Sequence, residues 1–194
     1  MISKYIVPIY NDADFQGTGF IVNNYFITAA HVVKDLSHPI FIFQGNKIRL
    51  QPDSKILLTY DKNKEEREDL AIFKVKILSS LSLSSENVSS KICCYQGYSY
   101  VEEKKQLTEN IYNNIMILHE HAYSVASFHT EPIKYRNCIT CTPSCCEGNS
   151  GGPLFQDEKI VGMYISSYKL PPSYRSVEDY YIKGSYINNI LNKI

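Results

Sequence analysis

Cys146-Glu147-Gly148-Asn149-Ser150-Gly151-Gly152-Pro153 sets one serine inside a glycine-dense turn, with the strand-like Leu154-Phe155 directly after it. Glycine reaches positive φ without steric cost and leaves room for another segment to come close. A serine in such a turn exposes its hydroxyl, and neighbouring amide N–H groups can converge on one point. That point is where an oxyanion forms when a serine attacks a carbonyl carbon.

A serine hydroxyl is a weak nucleophile at neutral pH and needs an adjacent base, most often a histidine held by a carboxylate. Of the five histidines, His38, His119, His121 and His129 sit in polar or strand contexts and read as surface or structural residues. His31 differs. The run Ile27-Thr28-Ala29-Ala30-His31 ends strand-like sequence in small residues, which fixes an imidazole at a strand end with room beside it. Asp69, in Glu68-Asp69-Leu70-Ala71-Ile72-Phe73, stands where a charged run turns into an apolar strand. A carboxylate there is partly buried, and holding an imidazolium satisfies it. Glu65, Glu66 and Glu68 read as solvated.

Around these residues the chain reads as short strands separated by turn signals. Residues 16–22 and 25–28 flank Asn23-Asn24, and residues 40–43 and 47–50 flank Gln44-Gly45-Asn46; both read as hairpins. Strands at 55–60 and 70–77 follow, with a solvated charged loop at 61–67 between them. Seven serines in residues 79–90 read as a connector that buries little. Strands resume at 91–95, 111–118, 122–128 and 133–140, with a polar excursion at 101–106, and a hairpin turns at Asp157-Glu158. The end changes period: Tyr186, Ile187, Ile190, Leu191 and Ile194 recur at helical spacing after a Ser185 N-cap. The pattern is all-β, a barrel or a sandwich, with one short helix at 185–194 docked by its apolar stripe.

The 194 residues suit one large domain or two small packed ones. Twenty Lys+Arg against twenty Asp+Glu leave no bulk field to recruit nucleic acid or an anionic membrane. The first eight residues lack the apolar run of a secretory leader, and no apolar run is long enough to span a bilayer; a cytoplasmic protein is expected. Six cysteines (Cys93, Cys94, Cys138, Cys141, Cys145, Cys146) leave three readings: buried thiols, disulfides, or zinc. Cys138-x-x-Cys141 is a weak zinc signal, because no second pair or nearby histidine completes it.

Gly17-Thr18-Gly19-Phe20, Thr28-Ala29-Ala30-His31, Asp69-Leu70-Ala71 and Gly148-Asn149-Ser150-Gly151-Gly152-Pro153 together resemble the signature blocks of trypsin/chymotrypsin-like serine proteases, in that family's order. The resemblance implies two six-stranded antiparallel β-barrels with the active site between them and a C-terminal helix. Residues 1–78 would then form the barrel carrying His31 and Asp69, residues 79–90 the connector, residues 91–184 the barrel carrying Ser150, and residues 185–194 the helix. It implies Ser150 as nucleophile, His31 as general base and Asp69 as its orienter. The Gly148 and Ser150 amides would form the oxyanion hole, and the chemistry uses no cofactor and no metal. Ser144, six residues before the serine, corresponds to the floor of the primary pocket. Glu147, Ile165, Ser166 and Ser167 complete the substrate-binding set. A neutral floor favours apolar or aromatic side chains over Arg or Lys, with Glu178 and Asp179 read as solvated.

Two departures from the secreted enzymes are informative. Asn149 stands where they carry the aspartate that pairs with a new N-terminal ammonium, so activation by trimming is not expected; bacterial and HtrA-like members share the asparagine. No PDZ-sized stretch follows, however. No cysteine follows Cys146 to make the disulfide usual at that position, which favours a reduced compartment. The partner expected is a polypeptide substrate, with an activating or regulatory protein as a further expectation. The rival readings are a catalytically silent protease fold kept for binding and an intracellular effector protease that a partner switches on.

Overall fold

The computed structural model describes residues 3–60, 66–86, 92–120, 123–126, 133–145, 148–170 and 175–194. The first half contributes β1 (Ile6–Asn11), β2 (Asp14–Thr28), a one-turn helix α1 (Ala30–Val33), β3 (Pro39–Phe43), β4 (Asn46–Arg49), β5 (Lys55–Thr59), β6 (Glu66–Arg67) and β7 (Leu70–Ser79). The second contributes β8 (Ile92–Val101), β9 (Gln106–His119), β10 (Tyr123–Ala126), β11 (Ile133–Arg136), β12 (Cys138–Cys141), β13 (Pro153–Gln156), β14 (Lys159–Leu170), β15 (Arg175–Lys183) and α2 (Gly184–Leu191). In the first half six strands form a curled sheet in the order β4-β3-β1-β2-β7-β5. In the second, β12-β15-β14-β13-β8-β9 close into a barrel. The architecture is chymotrypsin-like.

The expected hairpin at Asn23-Asn24 does not form. β2 runs through it as one 15-residue strand. Asn23 adopts φ 53°, and the pairing with β7 shifts register between Asn23 and Tyr25. Asparagine tolerates this left-handed backbone, so the pair makes a bulge that bends the strand instead of reversing it. The first part of β2 can therefore pair with β1 and the second with β7. The hairpins at Gln44-Gly45 and Asp157-Glu158 do form, each with two positive φ angles, as a tight two-residue turn requires. The excursion at 101–106 is a single 3-10 turn, Glu102–Lys104, joining β8 to β9.

Two cores differ in chemistry. The larger is aliphatic and phenylalanine-rich, with Phe26 stacked on Phe41 at 4.7 Å between ring centroids. It runs from the curled sheet through Cys138, Met163, Ile165 and Ile182 to Ile187 of α2, so both halves share it. The smaller lies inside the closed barrel and is built on Tyr95, Tyr164 and Tyr181. Buried tyrosines bring hydroxyls that need partners; Tyr95 and Tyr181 find theirs at Asn149 and Cys145, just before Ser150, and Tyr164 at Ser167 of β14.

The serine-rich stretch buries more than its composition suggests. Leu83 and Ser84 are buried, and Ser82 and Ser84 exchange backbone hydrogen bonds with Ile160. The N-cap of α2 is Lys183 rather than Ser185. The extended backbone of Lys183 turns directly out of β15, leaving Ser185 inside the first turn. No helix among the described residues is long and apolar enough to cross a membrane.

Candidate active site

β2 ends at Thr28, and α1 begins two residues later with His31 as its second residue. Asp69 immediately precedes β7, the neighbour of β2 in the sheet, so pairing of those strands brings the two residues together. Asp69 is 1% exposed and grips His31 at two points. Its Oδ1 accepts the His31 backbone N–H at 2.8 Å, and its Oδ2 lies 2.5 Å from Nδ1. That grip fixes the ring and leaves Nε2 as the outward nitrogen, with the side chain 32% exposed. Burial pulls the imidazole pKa down, but the charge and hydrogen bond of Asp69 outweigh it. The net direction is upward, against a small opposing push from Lys34.

Glu68 is not the solvated residue expected from its neighbours: its Oε1 accepts the Tyr186 hydroxyl at 2.7 Å, which ties α2 to the residue before Asp69. His38 and His119 are exposed, as read from sequence. His121, His129, Glu65, Cys146, Glu147 and the side chain of Glu66 lie outside the described part of the molecule.

The Ser150 turn is seated against the strand that leads to His31. Thr18 of β2 donates its N–H to the Ser150 carbonyl at 2.9 Å, and the Thr28 hydroxyl donates to the Thr18 carbonyl at 2.7 Å. Gly151 sits at φ 88°, and a Cβ there would lie 2.0 Å from the Thr18 carbonyl oxygen and 2.3 Å from Thr28 Oγ1. A side chain at Gly152 would strike the Tyr95 hydroxyl at 2.1 Å. That hydroxyl donates to the Asn149 carbonyl at 2.7 Å. The paired glycines thus answer two separate crowding problems, one from each half of the molecule.

Gly45 provides an internal control, since it has φ 78° and a Cβ there would meet nothing within 4 Å. Gly45→Ala is expected to lower unfolding stability by about 1 kcal/mol through backbone strain alone. Gly151→Ala should lower it by more than about 3 kcal/mol, because strain and overlap add. Urea unfolding of the two variants measures the difference.

Asn149 is fully buried, and its Nδ2 donates to the Tyr98 carbonyl at 3.0 Å. A carboxylate in its place would set acceptor against acceptor, so the amide has a structural use of its own. Gly148 has φ 87°. Among the described residues no hydrogen bond joins the His31 ring to Ser150.

The residues expected to line the pocket have the following surroundings. Ser144 is half-buried and donates its N–H to Asp179 Oδ2 at 2.8 Å. Ile165 and Ser167 are buried on β14 and Ser166 is half-buried. Ser167 Oγ donates to Asp179 Oδ1 at 2.6 Å. Asp179 is therefore not solvated; it is wholly buried. Burial raises its pKa, while bonds from Ser167, Cys145 and Ser144 act the other way. Glu178 is half-exposed. Letters alone gave no sign that Asp179 or Tyr95 would reach this region, because their partners lie far away in sequence.

Cys93, Cys94, Cys138, Cys141 and Cys145 form no disulfide. Cys138 faces the shared core and Cys141 the tyrosine core, on opposite faces of β12, so they cannot ligate one ion. Burial pushes Cys93 up to about 11 and the other two further, which keeps these thiols protonated and unreactive at neutral pH.

A family model described as Trypsin matches residues 2–191. No curated protein matches the chain in sequence. Among solved structures, it is similar to neuropsin, a serine protease of mouse brain, with TM-score 0.68, 15% identity, and coverage of 98% of this chain and 93% of that one. The active form of the Rv3671c protease of M. tuberculosis gives TM-score 0.67, 18% identity and coverage of 98% and 81%. A serine endoprotease of Yersinia pestis gives 0.63, 18%, and coverage of 98% and 62%. At such identities the structural likeness is one of fold, and the family rests on the match along the sequence. This chain belongs to the Trypsin family and is a trypsin-like serine protease.

Proposed function

We propose that the chain is a serine endopeptidase that cleaves polypeptides through an acyl-enzyme on Ser150. His31 Nε2 takes the Ser150 proton during attack and returns it to the leaving amine. Asp69 holds the Nδ1–H tautomer and stabilises the imidazolium. The Gly148 and Ser150 amides receive the oxyanion. One observation carries this reading: the two-point grip of Asp69 on His31, beside a serine turn seated on the strand that leads to that histidine. A fluorophosphonate probe tests it. Wild type should label at Ser150 and Ser150→Ala should not. Absence of labelling under every condition would favour the rival, a protease fold kept for binding.

Ser144, Glu147, Ile165, Ser166 and Ser167 are the proposed substrate contacts. An apolar or aromatic side chain is the preferred occupant of their pocket. Asp179 gives no reason to revise this, since donors from the protein itself already surround its charge.

The raised pKa of His31 sets the pH dependence. Only neutral imidazole accepts the serine proton, so kcat/KM should fall with acidification along a limb centred above the ordinary histidine value of 6.5. The stability effect has the opposite sense. Folding raises this pKa, so the His31–Asp69 ion pair contributes fully below the ordinary value and is lost as pH rises through the raised one. A pH–rate profile with a limb below 6.5 would contradict the assignment.

A second reading, a protease switched on by a protein partner, is supported by Asn149, whose buried amide donates to the Tyr98 carbonyl and offers no carboxylate to an activating N-terminal ammonium. Comparing the purified protein alone and with its native neighbours separates the two, and equal activity counts against regulation.

A further inference from the structure

Asp179 is a fully buried carboxylate with no cation beside it among the described residues. A charge in that setting persists only where donors surround it. Here they come from two segments far apart in sequence. Oδ2 accepts the backbone N–H groups of Ser144 and Cys145, each at 2.8 Å, and the Ser144 hydroxyl at 3.4 Å. Oδ1 accepts the Ser167 hydroxyl at 2.6 Å.

Both segments lead to the nucleophile turn. Ser144 and Cys145 begin the stretch that runs into Gly148-Asn149-Ser150. Ser167 Oγ also lies 2.6 Å from the hydroxyl of Tyr164. The Tyr164 carbonyl accepts the Gly151 N–H at 2.8 Å, and its N–H donates to the Gly152 carbonyl at 2.9 Å. Cys145 is held again from the side, with Sγ 3.1 Å from the Tyr181 hydroxyl. One carboxylate on β15 therefore fastens the approach to Ser150 and, through β14, the exit from it.

We propose that Asp179 is a positioning residue for the nucleophile turn. It is an internal anchor that holds Ser144 and Cys145 before the turn and, through Ser167 and Tyr164, Gly151 and Gly152 within it, and so aims the Ser150 hydroxyl and its neighbouring amides. The proposal rests on the reading of Ser150 as nucleophile. It concerns a carboxylate on β15, which no motif around the serine contains. Its ionised form is the one that works, because only a carboxylate offers acceptors alone to two amides and two hydroxyls.

Asp179→Asn keeps the volume but turns an NH2 group toward donors. The expected result is a fall in kcat of about 10- to 100-fold, the scale of lost hydrogen bonds to a charged group, with KM changed less than about threefold. Hydrogen exchange by mass spectrometry should quicken about tenfold or more in peptides covering 143–152, while β1 to β4 exchange as in wild type. Should the variant not fold, Tyr164→Phe carries the test. It removes only the hydroxyl that links Tyr164 to Ser167 and should lower kcat about three- to tenfold at unchanged KM.

Exchange can be read on proteins that do not turn over, so the two readings fail separately. An inactive wild type that does not label at Ser150 sinks the catalytic reading. An Asp179→Asn protein, or Tyr164→Phe in its place, that keeps wild-type kcat, or whose exchange at 143–152 is unaltered, overturns the anchor.

Discussion

Ser150→Ala and His31→Ala are each expected to lower kcat/KM for peptide hydrolysis by about four to six orders of magnitude, with the fold retained. The expectation follows from how the two residues are held. Ser150 makes its structural contacts through backbone: its carbonyl accepts the Thr18 N–H, and the turn around it is fixed by Gly151, Gly152 and Tyr95. Removing the hydroxyl leaves all of these in place. His31 keeps its main-chain bond to Asp69 when its ring is removed, so α1 should stay anchored. The double variant should be little worse than either single one, because the two groups act on one proton. Rates of peptide cleavage for the three variants, with unfolding curves alongside, make the comparison. Surviving cleavage in both single variants would show that another residue carries the chemistry.

Asp69→Asn is expected to lower kcat by about four orders of magnitude near neutral pH, again without loss of fold. The carboxylate accepts two hydrogen bonds from His31, one from the main chain and one from Nδ1. An asparagine has one acceptor oxygen. If that oxygen keeps the main-chain bond, the NH2 group faces Nδ1 and forces the ring proton onto Nε2, toward the serine. The base then has no free lone pair where it needs one. The same change removes the charge and hydrogen bond that hold the His31 pKa up, so burial is left to lower it. Kinetics and an NMR titration of His31 report the two effects independently. A kcat within tenfold of wild type, or an unmoved titration, would contradict the role given to Asp69.

Much of the site was legible because its chemistry is written in short local patterns. Small residues before His31, a charged run ending at Asp69 and the glycine turn around Ser150 each carry a local physical reason. What was not legible depends on contacts between distant segments. Asn23-Asn24 reads as a hairpin from its letters, yet a single left-handed asparagine bends β2 and leaves the strand continuous. Glu178-Asp179 reads as a solvated acidic pair, yet Asp179 is buried against donors 12 to 35 residues away. Ser185 looks like a helix cap, yet β15 runs straight into α2 and Lys183 takes that position. The tyrosines gave no local signal either: Tyr95 acts on Asn149, 54 residues along the chain.

The central claim is that peptide-bond chemistry passes through a covalent bond to Ser150. Rapid mixing of the enzyme with an activated ester, followed by acid quench and peptide mapping by mass spectrometry, tests it most directly. The account predicts a burst approaching one acyl group per chain, carried on Ser150 and absent from Ser150→Ala. Turnover with no adduct, or an adduct on a cysteine or another serine, would contradict it.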